Sequence, residues 1–209
     1  MLSSRMLLVT IAIAALGRAV PAQAPSTARF TGSSFVFVRY KYEGAISAYA
    51  SRRIGSGMAF AGVVENSYTS SRTVIFGSGT RIRLGAPASV AAFLGGAAAT
   101  EGWSLRTYLL PKFKAGRIVA GGTVSTTEPL SSSVRRQLSI DPLTLSLRTV
   151  ESVRVGVATR LQAKEGSLPK WGAGPSLELR AFRSSFAVEA ISTGGRRPFE
   201  IQGSISATF

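Results

Sequence analysis

The chain has 209 residues, with 25 Lys and Arg against 10 Asp and Glu, a formal charge of +15, and neither Cys nor His. That length suits one domain with a substantial core or one small barrel. The missing residue types exclude a disulfide framework, a thiolate metal site, a Cys nucleophile and a Ser-His-Asp triad, and Asp141 as the sole Asp excludes a paired-Asp site. So strong a positive charge raises nucleic acid as a partner. The basic residues are scattered singly through apolar segments, however, with only short pairs such as Arg52-Arg53, Arg135-Arg136 and Arg196-Arg197. With no basic helix or recognition motif among them, no nucleic-acid partner is expected.

Residues 1–24 read as a secretory signal peptide. Arg5 supplies the positive start, Met6 to Leu16 the apolar run, and Ala22-Gln23-Ala24 the small residues of a cleavage site. The run is shorter than the roughly 20 apolar residues a membrane-spanning helix needs. Residues 25–33 form a short irregular lead, and strand-like segments fill 34–209. They are placed at 35–42, 45–51, 54–64, 73–84, 88–98, 102–113, 117–126, 142–149, 152–162, 171–182, 186–192 and 199–209. Several alternate cleanly. Val153, Val155, Val157 and Leu161 share one face opposite Arg154, Gly156, Ala158 and Arg160. Leu143, Leu145 and Leu147 oppose Thr144, Ser146 and Arg148. Two segments resist assignment. Residues 88–98 are rich enough in Ala for a helix, and 35–42 puts Phe35 and Phe37 on one face with Arg39 and Lys41.

The last segment is the most regular. Phe199, Ile201, Gly203, Ile205, Ala207 and Phe209 alternate with Glu200, Gln202, Ser204, Ser206 and Thr208. A final strand ending on Phe209 resembles the C-terminal insertion signal of Gram-negative outer-membrane β-barrel proteins. The resemblance covers these residues and the general layout, and it identifies a class rather than a family. It implies an outer-membrane location, surrounding lipid and lipopolysaccharide, and recognition of the last strand by the barrel-assembly machinery.

Connection lengths support the same class. Tight turns at 52–53, 85–87, 114–116, 150–151 and 183–185 alternate with mostly longer connections at 65–72, 99–101, 127–141, 163–170 and 193–198. Outer-membrane barrels have short periplasmic turns, longer outer loops and an even strand count. The expectation is an all-β fold, a single antiparallel transmembrane barrel of twelve strands, or ten if 35–51 forms no membrane hairpin. Trp103 and Trp171, at one rim, and Phe113, Phe186 and Phe209, at the other, are placed as an aromatic girdle. A soluble exported β-sandwich or lipocalin-like binder of acidic ligands shows similar alternation and is the alternative.

No catalytic residues, metal or cofactor are proposed. Gly55-Ser-Gly57 and Gly77-Ser-Gly79 lack the third glycine and the following helix of a phosphate loop, and read as small inner-face residues making room for long neighbours. In this register the face opposite the lipid carries Arg39, Lys41, Arg81, Arg83, Arg106, Lys112, Arg117, Arg148, Arg154, Arg160 and Arg180, with Glu178, Glu189 and Glu200 as the acids. Each Arg or Lys facing lipid near the midplane costs about 2–4 kcal/mol, so these belong inside. Rings of Arg and Lys select for anions. The expected function is therefore a narrow passive pore preferring small anionic solutes. The pattern is similar to that of small twelve-stranded porins for acidic oligosaccharides, without a motif that assigns the chain to them. The alternative is a barrel whose lumen is filled by Arg–acid pairs and does not conduct.

Overall fold

The computed structural model describes residues 34–41, 44–67, 69–85, 87–192 and 199–209. The expected signal peptide and lead lie outside these residues, as does the 193–198 connection. Twelve strands follow in chain order: β1 (Ser34–Lys41), β2 (Ala45–Ile54), β3 (Gly57–Asn66), β4 (Ser71–Arg83), β5 (Ala88–Ala99), β6 (Gly102–Ala115), β7 (Ile118–Pro129), β8 (Gln137–Val150), β9 (Val153–Lys164), β10 (Lys170–Ala181), β11 (Ser184–Ile191) and β12 (Glu200–Thr208). Each pairs antiparallel with the next, and β1 pairs with β12 from Phe35↔Thr208 to Lys41↔Gln202, closing a barrel. Closure leaves no open edge, so the backbone hydrogen bonds are satisfied within the sheet, as a structure in lipid requires.

The Ala-rich segment 88–99 is a strand. Its inward Ala91 and Ala97 are buried. The turns at the end that carries Ser34 and Thr208 are tight, with two-residue links at 55–56, 116–117, 151–152 and 182–183. Gly55 and Gly116 take positive φ there (58° and 56°), as the mirror-image hairpin turns demand. Several expected positions shift by one to three residues. Arg52 and Arg53 belong to β2 rather than to a turn, and Arg117 falls in the β6–β7 turn rather than on a strand. At the other end the 100–101 connection is as short as the turns, while 130–136 and 165–169 are loops.

The largest correction concerns β8, which begins at Gln137 rather than 142. Against β7, Gly122 pairs with Leu143 and Val124 with Ile140; against β9, Thr159 pairs with Leu143 and Leu161 with Ile140. Asp141 and Pro142 thus oppose single residues on both sides, a bulge that switches which parity faces inward. Leu138 and Ile140 point outward before it, and Leu143, Leu145 and Leu147 after it. Deleting Pro142 removes the extra residue and turns one half of β8 inside out. Folded, heat-modifiable barrel should then be lost on cold gel electrophoresis; a normal yield would show that the bulge is dispensable.

The outer surface is apolar. Leu94, Leu145, Val157, Ile201 and Ile205 are each at least half exposed on outward faces of four different strands. A water-soluble protein rarely leaves so continuous an apolar surface uncovered, whereas hydrocarbon solvates it.

Candidate functional site: the lumen

The inward face is fixed by register. Phe35, Phe37, Arg39 and Lys41 all border an internal cavity of about 500 Å³ that runs along the β1–β3 and β6–β8 side of the barrel. The uncertain β1 segment is therefore resolved with its aromatic and basic residues together inside. Arg39 lies over the Phe37 ring, 4.9 Å from its centre, a favourable cation–π placement.

One wall is aromatic. Phe37 and Tyr49 rings lie 6.3 Å apart, Tyr49 and Tyr108 6.4 Å, Phe60 and Tyr108 5.7 Å, and Phe60 and Phe93 5.0 Å, the last three edge to face. These contacts bring β1, β2, β3, β5 and β6 together inside the barrel. Glycines make the room. A Cβ on Gly77 would come within 2.7 Å of the Phe60 ring, and one on Gly79 within 2.6 Å of Phe93. The Gly77-Ser-Gly79 piece thus has the space-giving role its sequence indicates.

Ionic contacts cross the lumen opposite this wall. Lys41 Nζ donates to Asp141 Oδ2 at 2.5 Å, and Arg39 Nη1 donates to the Asp141 main-chain carbonyl at 3.1 Å. Arg160 donates from Nε to Asp141 Oδ1 at 2.9 Å, from Nη1 to Glu200, and from Nη2 to Gln202 Oε1 at 2.6 Å. Gln202 in turn donates to Glu189. Lys41 on β1 and Asp141 on β8 stand nearly opposite in the ring of strands, so their contact is a crossbar. Asp141 is its hub and was absent from the expected inner acids, because local alternation places it in a loop.

Charge is distributed unevenly along the axis. In the half containing the crossbar, Arg39, Lys41, Arg106 and Arg160 are set against Asp141, Glu189 and Glu200. Toward the end bearing Ser34 and Thr208, register puts Arg81, Arg83, Lys112, Lys114, Arg148, Arg154 and Arg180 on the inward face. Glu178 is the acid among them, held by Arg154 at 3.0 Å and Arg180 at 3.2 Å. Arg117 sits at this rim in its turn. Among the described residues no group of three acids could hold a metal ion. The five girdle residues all stand exposed on the outer face, Trp103 and Trp171 toward the loop end and Phe113, Phe186 and Phe209 toward the turn end. Tyr40, Phe76 and Phe182 join them there and escaped the sequence reading.

No protein-family model matches the chain, and no curated protein does. Solved structures do. The NanC porin is 12% identical with a TM-score of 0.57, covering 84% of this chain and 98% of its own. The KdgM porin is 10% identical with a TM-score of 0.59, covering 85% and 99%. The KdgM porin in complex with disordered oligogalacturonate aligns with the same identity, coverage and score. At such identities the likeness is one of fold: a closed twelve-stranded barrel of the outer-membrane type.

Proposed function

We propose that this outer-membrane-type barrel is a narrow passive pore that prefers small anionic solutes, exported by a signal peptide over residues 1–24 and lacking catalysis or cofactor. The carrying observation is the pairing of an apolar exterior with an interior whose cations outnumber its acids beside an open cavity. A positive lumen concentrates anions and repels cations. The two neighbours named as porins, one solved with an acidic oligosaccharide, support this reading. Planar-bilayer recording of the refolded protein tests it. Chloride-selective reversal potentials are expected, and a folded barrel without conductance would sink the pore.

The crossbar specifically favours a second reading, a filled barrel that serves as a scaffold; the same recording separates the two. Orientation is tested on intact cells. Cysteines introduced at Ser132 and Ser167, in the loops at 130–136 and 165–169, should react with an impermeant thiol reagent, and one at Ser184, beside a tight turn, should not. Labelling at Ser184 would invert the topology.

A further inference from the structure

We infer that the lumen contains a binding site for a small aromatic carboxylate, centred on Arg106. The inference deepens the pore reading by naming the class of anion the lumen retains. Of the cations that border the cavity, Arg39, Lys41 and Arg106, the ionic pairings single out the last. Lys41, Arg39 and Arg160 share Asp141, Arg160 also takes Glu200, and Arg154 and Arg180 share Glu178. Among the described residues no carboxylate pairs with Arg106 and no ring covers its guanidinium, and its Nε is shut away from solvent without a hydrogen-bond partner. A guanidinium withdrawn from water without an anion is unfavourable, and its planar fork matches a carboxylate.

The surroundings specify the rest of the ligand. Arg106 donates to the Tyr108 phenol, which in turn donates to Tyr49, so the Tyr49 hydroxyl is left to donate to a second carboxylate oxygen. Its cross-strand partner is Gly95, and the Phe60 ring approaches a Cβ built there to 3.0 Å. Phe37, Tyr49, Phe60, Phe93 and Tyr108 all border the same cavity as Arg106. A lone cation in an aromatic wall fits an anion whose body is planar and apolar, since rings stack or meet edge to face with other rings. An inorganic anion gains nothing from that wall. The cavity lies within the roughly 300–1,000 Å³ range of small-ligand sites.

The test uses the full folded barrel in detergent and isothermal titration with benzoate, acetate, glucuronate and inorganic phosphate. Benzoate is expected to bind one to one and at least about tenfold tighter than the other three. Arg106→Gln should weaken benzoate binding about tenfold or more, with Arg106→Lys recovering part of it because the charge remains but the fork is lost. Arg136→Gln, in an exposed loop pair with Glu128, serves as the unchanged control. Glucuronate or phosphate matching benzoate on the unaltered protein overturns the inference, whatever the variants do. Benzoate binding indifferent to Arg106 also overturns it. Benzoate binding by a barrel that carries no current would refute the pore and leave the site standing.

Discussion

Replacing Asp141 by alanine is expected to raise single-channel conductance by roughly two- to threefold, because hydrated radius and fixed charge at a constriction govern flow. The crossbar has one carboxylate at its centre. Lys41, Arg39 and Arg160 reach into the lumen because Asp141 gathers them. Without it they face one another as like charges and fold back toward the walls, which widens the passage and adds to its positive charge. Asp141→Asn keeps the shape but not the charge, and should fall between. Removing one member of a buried ion pair costs about 3–5 kcal/mol, and the Asp141 side chain is 17% exposed. Solvent reaching the lumen reduces that cost, so a lowered melting temperature with an intact barrel is expected. Conductance equal to that of the unaltered protein would show that ions pass beside the crossbar rather than through it.

The triple replacement Arg81→Glu, Lys112→Glu and Arg148→Glu is expected to turn the proposed anion preference into a cation preference. These residues occupy the half of the lumen in which Glu178 is the acid. Lys112 lies within electrostatic reach of Arg81, Arg154 and Arg180, so the cluster acts as one field. Reversal potentials across a potassium chloride gradient should change sign, with the chloride-to-potassium permeability ratio falling by about tenfold or more at low salt. At about 1 M salt, where screening acts over about 3 Å, the difference should nearly vanish. A ratio that keeps its sign would assign selectivity to the crossbar instead.

The strand count was legible because it rests on period-two alternation within single segments. In β9 every second residue but Thr159 is apolar, in β12 every second residue is apolar or small, and the structure keeps those faces outward. Asp141 was not legible in this way. Leu138 and Ile140 alternate in one parity and Leu143, Leu145 and Leu147 in the other, so a single register fits only the second stretch. Reading Gln137 and Ser139 as a strand of opposite parity, joined by a bulge at Asp141-Pro142, would have found it. The partners across the lumen are beyond any local pattern: Lys41 and Asp141 are 100 residues apart. The inner aromatic wall was hidden for a different reason. Alternation assigns large apolar residues to lipid, whereas Phe37, Phe60 and Phe93 turn inward, the last two over space that Gly77 and Gly79 leave free.

In the proposed pore, nearly balanced charge toward the loop end and nearly bare positive charge toward the turn end would act as an ionic diode. Where the positive zone meets the neutral one, the fraction of current carried by anions drops. A voltage that drives anions from the turn end toward the loop end delivers them to that junction faster than they leave. It also brings up cations that the positive zone turns back, so the junction fills with carriers and resistance falls. The opposite voltage empties it. Inserted in one orientation, the barrel should therefore pass more current when anions move from turns to loops. Since screening erases the zone's field, the asymmetry should fade as salt rises. In a membrane with the turns facing the periplasm, the easy direction is outward, which would make the proposed pore a better exit for anions than an entrance.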